Sequence, residues 1–161
     1  MKIIKHMLAL LLIAAIASCT QSSKQQVKED TGLIKGLSGL DSAEVIFYKD
    51  PYGDSLRYTR FFTFTTLKDS STLKTIKAAL ADSNYIIKAG QPDCRSEGKI
   101  ILHLSVEVYK TVYFSTKCDT CCYLYVINEG RFAKFSLPMG VRSVLENAKL
   151  LAKEPIADST Q

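Results

Sequence analysis

The sequence predicts an α+β fold, with an antiparallel sheet and two helices packed on one face. Alternating segments rich in β-branched and aromatic residues indicate strands. Two other segments carry apolar residues at helical spacing, one in the middle of the chain and one near its end. Turn residues separate the strands at short intervals. The resulting order, ββα-ββββα, is typical of the α+β class.

The first half of the predicted domain is a strand pair followed by a helix. One strand is expected at 42–49 and a second at 56–67, because both segments are rich in β-forming residues. Between them, residues 50–54 (DPYGD) have the composition of a turn. Ser70 or Ser71 should cap the helix, which is expected to end near residues 82–84.

The second half reads as a four-strand meander and a final helix. Residues 85–97 are less regular. The strands of the meander are expected at 99–104, 108–116, 121–127 and 131–137. Residues 128–130 (NEG) form the tight turn between the last two strands. The helix should cover 139–153, where apolar residues share one stripe.

Alternation along the meander assigns its residues to two faces. Val112 and Phe114 should share the helix-covered side with Leu124 and Val126. The opposite side collects tyrosines and a threonine, namely Tyr109, Thr111, Tyr113, Tyr123 and Tyr125. Such residues stabilise a sheet as cross-strand pairs. As an exposed face they would instead form a contact surface, since tyrosine combines apolar area with a hydroxyl group.

The N-terminus has the composition of an export signal. Lys2 and Lys5 precede the apolar run 7–17 (MLALLLIAAIA). This run is shorter than the roughly 20 residues that a membrane-spanning helix needs. Its length and its basic start fit the hydrophobic region of a secretory signal peptide.

The residues after this run narrow the prediction. Ile16-Ala17-Ser18-Cys19 resembles the lipobox of bacterial lipoproteins, in which an aliphatic residue and two small residues precede a cysteine. The resemblance implies cleavage before Cys19 and diacylglycerol on its thiol. Under the sorting rule of some Gram-negative lipoproteins, Thr20 then favours the outer membrane over the inner one. In a Gram-positive source the protein would instead lie on the outer face of the plasma membrane. The alternative is an ordinary signal peptide with an unrelated cysteine.

The lipobox divides the chain into a signal peptide at 1–18, a lipidated cysteine and flexible tether at 19–41, one domain at 42–155 and a disordered tail at 156–161.

Two of the 21 basic residues and none of the 16 acidic residues lie in the signal, so the rest of the chain has a net charge of +3. This mild charge gives no reason to expect a nucleic-acid partner. The expected partners are the membrane, through the lipid, and an envelope protein or cell-wall component. The sequence predicts no oligomeric state.

Lipidation of Cys19 leaves four cysteines: Cys94, Cys118, Cys121 and Cys122. An even number in an exported domain is typical of disulfides. In the meander, the turn containing Cys118 should lie at the end of the sheet where Cys94 enters. We therefore favour a Cys94–Cys118 bond, with Cys94–Cys122 as the alternative. Either bond closes a loop of about 25 residues, worth roughly 3 kcal/mol.

Two other roles are open to these cysteines. Cys118-x-x-Cys121 has the spacing of a thiol-redox motif, although it lies in a strand-to-strand turn rather than at a helix N-terminus. Together the four cysteines could instead form a zinc or copper(I) site. A thiol-redox or metal-binding lipoprotein is thus the alternative function.

The sequence contains none of the common local catalytic motifs, such as a nucleophile elbow, a zinc-protease helix or a phosphate-binding loop. We therefore predict no catalytic residues and no cofactor. The predicted function is that of a non-catalytic binding or structural domain, lipid-anchored in the cell envelope. Its first candidate surface is the tyrosine face formed by Tyr109, Tyr113, Tyr123 and Tyr125.

Overall fold

The computed structural model describes residues 33–53, 61–81, 85–88, 95–105, 109–119, 121–128 and 130–156, without the side chains of residues 87, 88, 109 and 128. It shows an α+β fold, as predicted. The strands are β1 (Leu40–Tyr48), β2 (Phe62–Leu67), β3 (Ile86–Lys88), β4 (Gly98–Leu104), β5 (Tyr109–Lys117), β6 (Cys121–Asn128) and β7 (Arg131–Ser136). The helices are α1 (Ser70–Leu80) and α2 (Met139–Leu151). The signal, Cys19 and Cys94 lie outside the described residues.

All seven strands form one antiparallel sheet, in the order β2-β1-β4-β5-β6-β7-β3. The meander β4 to β7 pairs consecutively, as expected. In β5 and β6, Phe114 is directly opposite Leu124, so the predicted register is confirmed. β1 inserts beside β4, with Val45 opposite Ile100. This non-local pairing places the start of the domain in the interior of the sheet.

Both helices pack on one face of the sheet, because each has an apolar stripe to bury. Ile76 of α1 and Val141 and Leu145 of α2 are almost fully buried. They cover the inward residues of the central strands, including Val112 and Phe114. Within the described ranges, no helix is long and apolar enough to cross a membrane.

The domain begins earlier than the predicted boundary at residue 42. Ile34 and Leu37 are buried at 1% and 4% exposure, and a short 3-10 turn, Leu37–Gly39, leads into β1. Because their side chains complete the core, the segment from Ile34 onward belongs to the packed domain rather than to the tether.

Several element ends differ from the prediction. Asp69, rather than Ser70 or Ser71, caps α1, and its carboxylate accepts the Thr72 amide at 2.8 Å. α1 stops at Leu80, and α2 stops at Leu151 rather than at residue 153. The short strand β3 was not predicted, because three residues at a sheet edge are too few to show alternation.

The chain after α2 returns to the edge of the sheet. The Phe64 amide donates to the Lys153 carbonyl at 2.8 Å, and the Lys153 amide donates to the Phe64 carbonyl at 2.9 Å. A salt bridge joins the side chains of Lys49 and Glu154 beside this bridge. We call residues 152–156 the C-terminal strap. It pairs with the outer edge of β2.

Candidate functional site

The tyrosine face is present but is not an open contact surface. Tyr113 stacks on Tyr125, with ring centroids 4.8 Å apart and planes 12° apart. Tyr125 also touches Tyr123 and Phe132. Tyr123 and Tyr125 are only 2% and 7% exposed, and Tyr113 is half-buried. The stacking and burial favour the reading of these tyrosines as cross-strand pairs over the alternative of an exposed contact surface. The side chain of Tyr109 lies outside the described residues.

The cysteine pairing also differs from the prediction. Cys118 is bonded to Cys122, with Cα atoms 4.2 Å apart, and Cys121 is disulfide-bonded as well. The predicted Cys94–Cys118 bond is wrong, and so is its alternative with Cys122, because both proposed partners of Cys94 are bonded to each other. Cys122 lies directly opposite Thr116 in the ladder. Cys118, two residues beyond Thr116, is therefore its diagonal neighbour on the same face.

This pairing bears on both alternative roles of the cysteines. Cys118 is not bonded to Cys121, so the CxxC spacing does not correspond to a disulfide. A zinc or copper(I) site needs thiolates, whereas Cys118, Cys121 and Cys122 are all in disulfides. In the part of the chain that the structure describes, no three histidine, cysteine, aspartate or glutamate side chains are grouped to hold a metal ion.

A cavity of about 420 Å³ lies where α2 crosses the end of the sheet. We call it the α2 cleft. Its apolar lining comes from Phe47 of β1, Phe114 of β5 and Leu145 of α2. Its polar lining comes mainly from the turn after β1, the start of β4, the end of β5 and the exposed side of α2. The most important of these residues are Tyr52, Glu97, Thr116, Glu146 and Lys149.

Glu97 is fixed at this position by its main chain. Its amide donates to the Phe114 carbonyl at 2.8 Å, and its carbonyl accepts the Tyr48 amide at 2.9 Å. The next residue is Gly98, where a Cβ atom would lie 2.1 Å from the Ile46 carbonyl oxygen and 2.6 Å from Phe114 Cζ. Because glycine occupies this position, the Phe114 ring can lie against β4 and form the floor of the cleft.

The side chain of Glu97 is held as firmly as its main chain. Its Oε2 accepts the Thr116 amide at 2.6 Å and the Thr116 hydroxyl at 2.5 Å. Its Oε1 accepts the Tyr52 hydroxyl at 2.7 Å. The ammonium of Lys117 lies 4.2 Å from the centre of the Tyr52 ring, a cation–π contact that helps to hold the ring in place. We call Tyr52, Glu97 and Thr116 the carboxylate triad.

The triad has a defined protonation state at neutral pH. Burial by itself raises the pKa of Glu97, but the hydrogen bonds from Thr116 and Tyr52 and the charge of Lys149 outweigh it and hold that pKa below its usual value. Burial, followed by the bond to Glu97, raises the pKa of Tyr52 to about 12. Glu97 is therefore ionised and Tyr52 neutral, and neither is suited to exchange protons near pH 7.

The remaining charges at the cleft are distributed unequally. Arg142 Nε donates to Glu146 Oε1 at 2.9 Å, one helical turn away. Lys49 is paired with Glu154. The Lys149 ammonium forms no hydrogen bond or ion pair with any residue that the structure describes, although its charge acts on Glu97. The cleft thus has an acid that is satisfied internally and an ammonium that is free to contact a bound molecule.

Sequence reasoning did not identify this site. Tyr52 was assigned only to a turn, and that turn is confirmed by the bond between the Gly53 amide and the Asp50 carbonyl. Glu97 lay in the irregular stretch before the meander. The available signal was the Glu97-Gly98 pair at the entry to a strand, where glycine marks a close approach of other atoms. Nothing in the spacing of residues 52, 97, 116 and 149 links them.

Comparison with known proteins adds no relative on which to model a function. No family model matches the chain. Searches of curated proteins and of solved structures likewise find no match. The assignment of function therefore depends on the residues of this chain alone.

Proposed function

We propose that this protein is a lipid-anchored lipoprotein of the cell envelope, favouring the outer membrane, whose domain binds a ligand in the α2 cleft without catalysing a reaction. The anchor is Cys19, as its lipobox context implies. Two or more acyl chains would hold the protein stably, because each buried methylene contributes about 0.8 kcal/mol. We propose the α2 cleft and not the tyrosine face as the binding surface, because Tyr123 and Tyr125 are buried.

The carboxylate triad is the observation that supports this proposal. Three donors fix the Glu97 carboxylate at the wall of a cavity. Such convergence of polar groups in a partly apolar cleft is typical of small-molecule sites. A general base needs a pKa near the working pH and a free oxygen. Glu97 has a lowered pKa, and both of its oxygens already accept hydrogen bonds, so its arrangement favours binding over catalysis.

Lipid anchoring can be tested by fractionation. We expect the wild-type protein to incorporate labelled palmitate and to sediment with membranes, whereas Cys19→Ser should incorporate none. Ala17→Gly, which keeps a small residue within the lipobox, is the matched control and should still be lipidated. Equal labelling of the wild type and Cys19→Ser would refute the assignment of Cys19.

Binding at the cleft can be tested by crosslinking in intact cells. A photoreactive residue is placed at Pro51 or Lys49, which line the cleft, and at exposed Lys74 of α1 as the control. We expect a defined adduct, identified by mass spectrometry, from the cleft positions and not from Lys74. Thr116→Val should reduce its yield several-fold, because it removes one donor to Glu97. The binding proposal fails if all three positions give the same products or if no adduct forms.

A further inference from the structure

The unsatisfied groups of the α2 cleft indicate the chemical class of its ligand, an inference that rests on the proposed binding function. Glu97 and Glu146 each have partners within the protein. The Lys149 ammonium and the Thr63 hydroxyl belong to residues that line the same cavity, and neither group forms a hydrogen bond with any described residue. A ligand that enters the cleft therefore meets one unpaired positive charge and one unpaired hydroxyl group.

The fold also limits how much negative charge the ligand carries. Leu145, Glu146 and Lys149 lie in the second half of α2, which ends at Leu151. The C-terminal end of a helix carries partial negative charge, which disfavours further anionic charge nearby. Glu97 contributes another ionised carboxylate to the cleft wall. One exposed ammonium in this setting matches a single carboxylate better than a phosphate dianion, which usually requires arginine or a helix N-terminus.

The rest of the cleft matches an apolar group of limited size. The floor consists of Phe47 and Phe114, whose rings meet edge to face with centroids 5.6 Å apart. Leu145 forms the helix side. The volume of about 420 Å³ is at the lower end of the range of about 300–1,000 Å³ for ligand pockets. This space suits one small molecule.

We infer that the α2 cleft binds a small organic acid, with its single carboxylate on Lys149 and Thr63 and its apolar body against Phe47, Phe114 and Leu145. Glu97 is a positioning residue in this arrangement. It fixes Tyr52 at the rim and, by its charge, attracts the Lys149 ammonium into the cleft. The acid binds without chemical change.

Three probes that share a phenyl group on a short alkyl chain and differ in charge test this inference. The lipidated protein in detergent micelles is titrated with 3-phenylpropionate, 3-phenylpropionamide and 3-phenylpropylamine, with empty micelles as the blank. We expect the acid to bind about tenfold more tightly than the amide, the change that one partly solvated charge-assisted hydrogen bond gives. The amine should bind more weakly than the amide.

Lys149→Gln tests the role of the ammonium. This variant should bind the acid and the amide with equal affinity, while the affinity for the amide stays at its wild-type value. Lys74→Gln, on exposed α1, is the matched control and should keep the tenfold preference. Thermal denaturation of both variants checks that neither substitution unfolds the domain.

Equal binding of acid and amide by the wild-type protein, preference for the amine, or no binding of any probe would overturn this inference. A specific adduct in the crosslinking experiment together with no preference for the acid would refute the ligand class and leave the binding function standing. The absence of a specific adduct, together with no preference for the acid, would refute both the binding function and the ligand class.

Discussion

At the scale of single residues, Glu97 contributes to the fold and to the cleft at once. Its main chain links β1 and β5 across the start of β4, and its carboxylate joins the turn after β1 to the end of β5. The Glu97-Gly98 pair marks a close approach in the sequence, but no sequence pattern links Glu97 to these partners. The partners of Glu97 are 45 residues before it and 19 residues after it, and only the sheet order brings them together.

Replacement of Glu97 should destabilise the domain. We expect Glu97→Gln to lower the free energy of unfolding by about 1–2 kcal/mol, because the amide replaces charged hydrogen bonds in a half-buried site that solvent partly screens. Urea denaturation measures the change. Glu154→Gln, which removes only the exposed ion pair with Lys49, should change it by less than about 0.5 kcal/mol. Equal effects of the two substitutions would contradict the role of the triad.

The lowered pKa of Glu97 makes stability depend on pH. Because folding lowers this pKa, its contribution is fully present above the ordinary glutamate pKa of 4.5 and is lost as the pH falls through the lower value in the folded protein. We therefore expect stability to fall below pH 4.5 and to fall less steeply in Glu97→Gln. Urea denaturation from pH 6 to pH 3 measures both slopes. Identical slopes would show that Glu97 contributes nothing to this dependence.

Gly98 should not tolerate a side chain. A Cβ atom would overlap the Ile46 carbonyl and the Phe114 ring, so we expect Gly98→Ala to destabilise the domain by about 1–3 kcal/mol, as overpacking does. Gly140→Ala is the control, since its added carbon would lie 3.3 Å from the methyl group of Thr75 and should change stability by less than about 1 kcal/mol. A tolerated Gly98→Ala, measured by thermal denaturation, would contradict the packing of Phe114 on β4.

At the scale of elements, the sequence patterns predicted the strands and helices better than they predicted the residues of the α2 cleft. The meander, both helices and the faces of β5 and β6 followed from alternation and helical spacing. The insertion of β1 beside β4 did not follow, because non-local pairing leaves no local signal. The disulfide prediction failed for a geometric reason. A three-residue hairpin loop places Cys118 diagonally opposite Cys122. Cys118 therefore bonds to this local partner and not to Cys94, which is distant in sequence.

The Cys118–Cys122 bond should stabilise the end of the hairpin that holds Thr116 and Lys117. It closes a short loop of separation 4, so the chain-entropy estimate is about 2 kcal/mol. We expect the Cys118→Ser/Cys122→Ser double variant to lose about that much and to weaken the Thr116 hydrogen bonds. Denaturation gives the first result, and faster amide exchange at Thr116 gives the second.

Thiol counting under denaturing, non-reducing conditions provides the control for this variant. The wild-type protein should show no free thiol at Cys118, Cys121 or Cys122, each located by mass spectrometry after alkylation. Alkylation of Cys118 and Cys122 in the wild-type protein would contradict the bond.

At the scale of the whole molecule, the sheet has two differently protected edges. One edge is β3, which has only three residues. The other is β2, whose outer side meets the C-terminal strap through the Phe64–Lys153 bridge. Short or covered edges limit pairing with other chains. The helical stripe predicts that α2 extends to residue 153, because it carries no sign that the chain turns back to the sheet.

Removal of the strap should promote self-association. Truncation after Ala152 exposes the outer edge of β2 together with Phe61, which is already 66% exposed. We expect a larger self-associated fraction than in the parent chain, measured by sedimentation velocity. Truncation after Ile156 keeps the bridge and should match the parent. No difference between the two truncations would show that the strap does not protect this edge.

The direction of β1 has a consequence for the proposed lipoprotein. This strand begins at Leu40, after the buried segment from Ile34, and finishes at Tyr48, beside the α2 cleft. Its nine residues span about 26 Å at the usual rise per residue. The start of β1 and the α2 cleft therefore lie at opposite ends of this strand. In the proposed lipoprotein the chain from Cys19 precedes the end remote from the cleft, so we expect solutes of the aqueous compartment, rather than acyl chains of the host bilayer, to reach the cleft.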